Sequence, residues 1–130
     1  MLANAPMTTI LPVIDLNRAR DFYENKLGLE AKGAQPDGKF IYSCGGGALL
    51  ALFPRGSSSK ADHTALSFEV KDITKSIKDL QRKGIAFHDY DLPELKTVNH
   101  VCVLGAGKAA WFNDSEGNIL CIHENIIASH

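Results

Sequence analysis

Two stretches decide the fold: Ile10–Glu30, ILPVIDLNRARDFYENKLGLE, and Ser67–Phe87, SFEVKDITKSIKDLQRKGIAF. Each reads as a short apolar strand ending in Val-X-Asp, an apolar residue, a helix-period run, and then Lys-X-Gly or Lys-Gly before another strand. Val13 aligns with Val70, Asp15 with Asp72, Leu16 with Ile73 and Lys26 with Lys83 at one constant offset, and a single-residue gap brings Gly28 onto Gly84. An internal repeat of this length means that one supersecondary unit is used twice. Asp15 and Asp72 stand where a helix N-cap is needed, since a carboxylate there accepts hydrogen bonds from free N–H groups and complements the dipole. Leu16, Ala19, Phe22, Tyr23 and Leu27 fall on one helical stripe, and Ile73, Ile77 and Leu80 on another, so both helices are expected to run about three turns against a sheet. Gly28 and Gly84 then follow as left-handed C-cap residues.

Working outward, β patterns follow each helix. In the first half, Leu29 to Gln35, the turn Pro36-Asp37-Gly38 and Lys39 to Cys44 read as a hairpin. Gly45-Gly46-Gly47 breaks the chain and Ala48 to Pro54 supplies a further strand. These glycines precede no helix and no Gly-Lys-Ser/Thr follows, so they read as a hairpin turn rather than a phosphate cradle. Gly105-Ala106-Gly107 reads the same way. In the second half, strands are expected over Thr64–Val70, Ile85–Tyr90, around Thr97–Leu104, over Lys108–Phe112 and over Ile119–His123, with Asn113–Asn118 as the closing turn. The expected fold class is therefore α+β: two tandem βαβββ modules, 7–54 and 63–125, forming a curved mixed sheet with a central cleft. Residues 55–62, polar and small, read as the linker and 126–130 as a tail, so that 7–125 is one domain.

Composition bounds the function. The 130 residues are 45% hydrophobic and 22% charged, enough apolar material to build a core in one domain of this size. A formal net charge of -1 without runs of like charge points to neither nucleic acid nor an anionic membrane as partner. Three cysteines, Cys44, Cys102 and Cys121, are odd in number, widely spaced and free of any CxxC pair, so a disulfide framework and a zinc ribbon are both disfavoured and a reducing cytoplasm fits. The start MLANAPMTT lacks a basic segment followed by an apolar run, and no window approaches the length of a membrane span.

The string Leu11-Pro12-Val13-Ile14-Asp15-Leu16-X-X-Ala19-X-X-Phe22-Tyr23-X-X-X-Leu27-Gly28-Leu29 resembles the first module of the glyoxalase, bleomycin-resistance and extradiol-dioxygenase superfamily, the vicinal oxygen chelate proteins. Ala110-Trp111-Phe112-X-Asp114-X-Glu116-Gly117-Asn118-Ile119-Leu120 is similar to that family's closing hairpin, with Ser115 in place of the usual proline. The resemblance runs from about residue 8 to residue 124 and implies where a metal would be held. Its first ligand lies seven residues before the capping aspartate, at Thr8; the equivalent in the second module is Ala65; the third stands three residues after the asparagine of the closing turn, at Cys121. Threonine, alanine and one thiol do not make an oxygen and imidazole site, so no metal and no other cofactor is expected.

The expected ligand-binding cleft comprises Thr8, Tyr42, Ala65, Trp111 and Cys121, with Trp111 and Tyr42 as its aromatic walls. The leading reading is a metal-free binding protein for a small organic molecule, resembling the bleomycin-resistance branch, with sequestration or resistance as its purpose and a homodimer as its assembly. The rival is a lyase or isomerase of the glyoxalase type whose metal site is rebuilt from His63, His100, Cys121 and His123. Cys121 and His123 share a strand face by alternation, as do His100 and Cys102 on the expected Thr97–Leu104 strand. His63 is more simply read as an exposed linker-end residue and His130 as part of the tail. The acidic loop Asp89–Thr97 is either a lid or a plain surface connection. Glu69 and Lys71 read as outward-facing charges on an edge.

Overall fold

The computed structural model describes residues 2–55 and 63–124, the side chain of Leu104 excepted. They fall into two units, one within residues 1–60 and one within 61–130. The expected linker lies, apart from Arg55, outside the described residues, as does the expected tail.

The first unit is βαβββ: β1 (Thr8–Val13), α1 (Leu16–Asp21), β2 (Glu30–Ala34), β3 (Phe40–Ser43) and β4 (Leu49–Pro54), in the spatial order β1-β4-β3-β2. β1 runs parallel to β4 and the other pairs are antiparallel, so the sheet is mixed. Pro12 is tolerated because β1 is an edge strand, where a missing N–H costs no internal ladder bond. The Asp15 carboxylate caps α1 by accepting from the Arg18 N–H at 3.1 Å. The helix departs from the expected regular three turns at its end. Phe22–Lys26 widens into a π turn, closed by the Leu27 N–H donating to the Phe22 carbonyl, and both Phe22 and Tyr23 are buried there.

Register settles which side chains the helix covers. Leu11, Val13, Leu50, Leu52, Phe40 and Tyr42 are buried on one face of the sheet, against Ala19, Phe22 and Tyr23. Thr8, Ile10, Ile41, Leu49 and Ala51 occupy the other. Tyr42, expected in the ligand cleft, is a core residue: it is 0% exposed, its ring lies 6.2 Å from that of Tyr23, and its hydroxyl donates to Glu24 at 2.7 Å.

The second unit repeats the pattern with β5 (Thr64–Glu69), α2 (Ile73–Arg82), a two-residue hairpin of β6 (Asp91–Leu92) and β7 (Leu95–Lys96), then β8 (Cys102–Leu104), β9 (Gly107–Asn113) and β10 (Ile119–Glu124). The sheet order is β5-β10-β9-β8, again with one parallel pair, β5 with β10. Asp72 caps α2 through the Lys75 N–H at 3.1 Å, as the repeat requires. Gly28 and Gly84 have φ of 72° and 88°, the left-handed geometry expected just past each helix. Phe112, Leu120 and Ile122 form the buried helix side of the sheet, beneath Ile73 and Ile77 of α2.

Two strand expectations are corrected. Ile85–Tyr90 is not a strand; it meets the sheet at one isolated bridge, Phe87 with Phe112, through the bond from the His88 N–H to the Trp111 carbonyl. The strand around Thr97–Leu104 shortens to Cys102–Leu104, because Val98 and Val101 bond each other in both directions around a two-residue turn. Asn99 and His100 take φ of 51° and 71° in that turn, so alternation does not carry from His100 to Cys102.

Candidate functional site

Each sheet has a face that its own helix leaves open, and the expected ligand positions lie on those faces. In the first unit Thr8 pairs in register with Leu49, at the start of β1 and β4. Around it Ile10, Ile41, Leu49 and Ala51 form an apolar floor, with Lys32, Gln35, Asp37 and Lys39 at the rim, enclosing a cavity of about 480 Å³. Ile10 is 55% exposed, a large apolar side chain that this unit does not cover. Lys39 and Asp37 form an ion pair at 2.5 Å, and the Lys39 ammonium holds the Asp37 carboxyl below its ordinary range. The hairpin turn at Pro36-Asp37-Gly38, legible in the sequence, sets this pair at the rim.

In the second unit Cys121 lies opposite Trp111 on one side and Ser67 on the other. Its thiol is buried and donates to the Ile122 carbonyl at 3.3 Å. Burial pushes its pKa up, against smaller opposing effects from Ser67 and the Ala110 backbone, so the protonated form is favoured. Two residues on, His123 shares a hydrogen bond between Nδ1 and the Ser67 hydroxyl at 2.5 Å, while its Nε2 lies 4.0 Å from Glu69. Trp111, half-buried, donates from its indole nitrogen to the Thr64 hydroxyl at 3.2 Å and meets the Tyr90 ring edge-on with centroids 5.6 Å apart. A register shift at Ile119/Leu120 leaves Ala65 as an unpaired bulge residue beside Thr64.

The closing turn is what sets β10 in register. Asp114 Oδ1 accepts from the backbone N–H groups of Glu116 and Asn118, each at 2.8 Å, and Oδ2 accepts from the Asn118 side-chain amide at 2.9 Å. Asp114, Glu116 and Asn118 are all buried, which explains why a turn needs this combination of polar residues.

The donor set does not fit a divalent ion. Ala65 has no lone pair to give, Thr8 offers a neutral hydroxyl, and Cys121 is a buried thiol already donating to a carbonyl. Among the described residues no three His, Cys, Asp or Glu side chains form a group able to hold a metal. The rebuilt set of His63, His100, Cys121 and His123 is not assembled. His100 binds Asp89 at 2.9 Å and lines a cavity with Ile77 and Lys108 on the helix side of the sheet, away from the face of Cys121 and His123. His63 is exposed.

The Ser67–His123 pair and the Thr64 anchor of Trp111 were not singled out from the sequence. Period-2 alternation from Cys121 reaches His123, but the partner across the strand depends on parallel register, which no local signal encodes. Glu69 stands exposed on edge strand β5, as its alternation with Phe68 and Val70 indicates.

Two βαβββ units with capped helices, mixed four-stranded sheets and a buried Asp-X-Glu-Gly-Asn turn define the class of protein. A family model described as Glyoxalase/Bleomycin resistance protein/Dioxygenase superfamily matches residues 6–122, and the chain belongs to that superfamily. Among solved structures, the chain is similar to TnmS3, an antibiotic binding protein from Streptomyces sp. CB03234, with 21% identity over 95% of this chain and 98% of that one and a TM-score of 0.68. It is also similar to a lactoylglutathione lyase from Agrobacterium tumefaciens, with 20% identity over 100% of both chains and a TM-score of 0.70. A superfamily member from Sphaerobacter thermophilus DSM 20745 shares 22% identity over 95% of this chain and 99% of that one, with a TM-score of 0.71. No curated protein matches the sequence. No helix among the described residues is long and apolar enough to cross a membrane.

Proposed function

We propose that this chain is a binding protein for a small, largely apolar organic molecule, held on the open sheet faces without a metal ion. The observation that carries the reading is the donor set: the positions at which the family resemblance places ligands hold Thr8, Ala65 and Cys121, on faces otherwise floored by Ile10, Ile41, Leu49 and Trp111. An apolar floor with no metal ligand at the expected positions rewards apolar area rather than Lewis-acid chemistry. The fold is one that TnmS3 uses to bind an antibiotic, which supports a sequestering role for this chain.

The proposed site residues are Thr8, Ala65, Trp111 and Cys121. A homodimer belongs to the same reading, since β1, β2, β5 and β8 end their sheets as edges and the open faces carry apolar side chains. A reducing cytoplasm suits its three free cysteines, two of them buried.

The test titrates the purified full chain with a neutral flat quinone such as menadione. Saturable quenching of the Trp111 emission with a rise in melting temperature is the expected result, lost in Ala65→Phe at little cost in stability. Quenching that rises linearly without saturation, or about one zinc, nickel, manganese or iron per chain in protein purified without chelator, overturns the reading.

A further inference from the structure

On the opposite side of the second sheet, where α2 covers it only in part, lies a cavity of about 710 Å³ that the family's ligand positions do not touch. One wall is α2, through Thr74, Ile77, Lys78 and Gln81. The other is the turn Val98-Asn99-His100-Val101, continued by Val103 of β8 and Lys108 of β9. We propose that this cavity is a second site, for a small organic anion carrying a carboxylate or phosphate head on a flat apolar body.

Three observations converge on it. The first is charge. Among the described residues Lys78, Lys96 and Lys108 line the cavity and no carboxylate does. Lys96 and Lys108 have only loose partners, Asp91 at 3.9 Å and Glu124 at 4.0 Å, and Lys78 has no ion pair among the described residues. Three ammonium groups around one concavity favour an anion in a chain whose net charge is otherwise -1.

The second is apolar surface. Val98 is 74% exposed and Val103 67%, beside buried Ile77, so one rim of a charged cavity is greasy. Lysine stems alone do not need such a floor; an amphipathic ligand does.

The third is the backbone. A two-residue turn of this kind needs positive φ at both central positions, for which Asn-Gly is the ordinary solution. Asn99 satisfies the first, but the second is His100 at φ 71°, where a side chain is retained against the left-handed steric cost. The ring so placed is held from both sides. Its Nδ1–H donates to the Asp89 carboxylate at 2.9 Å, and its centroid lies 6.1 Å from that of buried Phe87. A fixed, flat imidazole then forms a wall of the cavity, suited to an aromatic or planar body, while the acidic loop expected as a lid or a plain connection supplies Lys96 to the rim and Asp89 as the partner of the His100 ring.

The experiment uses the isotope-labelled full chain and three probes sharing one ring system: 1-naphthoate, 1-naphthyl phosphate and neutral 1-naphthalenemethanol. The expected result is saturable amide shifts at Lys78, Val98, His100 and Val103 with either anion, the tighter of the two identifying the head group. The alcohol binds about tenfold or more weakly. The double variant Lys78→Gln, Lys96→Gln loses about the same factor with unchanged melting temperature, as both side chains are exposed. His100→Gly, which removes the strained side chain and therefore folds, loses the shifts at Val98 and Val103. The proposal is overturned by shifts absent from these residues, by shifts confined to Trp111 and Cys121, by equal affinity for the alcohol, or by unchanged binding in the lysine pair or His100→Gly.

Discussion

Replacing Asp114 by alanine removes three hydrogen bonds at once from a side chain that is 6% exposed: those from the Glu116 and Asn118 backbone N–H groups at 2.8 Å and from the Asn118 amide at 2.9 Å. Alanine offers nothing in exchange, and water reaches the two orphaned N–H groups poorly because Glu116 and Asn118 are themselves buried. Each buried donor left without a partner costs about 1–3 kcal/mol, and partial relaxation of the turn keeps the total near about 4 kcal/mol rather than the full sum. For 130 residues the unfolding entropy is about 0.27 kcal/mol/K, so Asp114→Ala lowers the melting temperature by about 15 °C. Asp114→Asn keeps one acceptor oxygen but turns an N–H group toward a donor, and loses about half as much. The assay is thermal and urea unfolding of both variants followed by circular dichroism, with an unchanged urea slope showing that the same surface is exposed. An Asp114→Ala protein melting within about 3 °C of the parent would refute the view that this carboxylate organises the closing turn and, through it, the register of β10.

Tyr42→Phe removes the hydroxyl that donates to Glu24 at 2.7 Å and destabilises the first unit by about 1–2 kcal/mol at neutral pH. Hydrogen bonds from Arg20 first and Tyr42 second hold the Glu24 carboxyl below its ordinary range, so this stabilisation is complete above the unfolded glutamate value of about 4.3 and fades as pH falls through the lower folded value. Melting curves of Tyr42→Phe and parent should converge in that acid window; a constant gap from pH 7 to below 3 contradicts the pairing. Cys121, buried and with its pKa raised, should react with iodoacetamide at pH 7.5 far more slowly than a free model thiol, and mass mapping showing fast labelling there would contradict a buried, protonated thiol between Trp111 and Ser67. Adding zinc or a strong chelator should leave the melting temperature unchanged within about 1 °C, because ligation by Thr8, Ala65 and Cys121 would otherwise shift it by linkage. Light scattering should give twice the 14.1 kDa chain mass at micromolar concentration, and a single-chain mass removes the dimer.

Much of this protein is local and therefore legible from one strand of text. The capping aspartates Asp15 and Asp72, the left-handed glycines Gly28 and Gly84, and the Asp-X-Glu-Gly-Asn turn each act through bonds to residues within a few positions, so their spacing alone reveals them. Repetition then implies two similar units, and counting from those anchors reaches Thr8, Ala65 and Cys121. What the sequence left open is set by register and by competition for space. Tyr42 alternates correctly for either face, and only the pairing of β3 with β4 turns it toward Tyr23 and Glu24. Ser67 meets His123 because a parallel partner slips by one residue at Ala65. His100 leaves the face of Cys102 because Val98 and Val101 bond each other across a tight turn instead of extending β8. In the first two cases the deciding bond joins residues of different strands, whose pairing no local propensity favours, and in the third a local turn closes with His100 where glycine is usual. Side-chain period 2 then makes a slip of a single residue enough to move a group from core to open face.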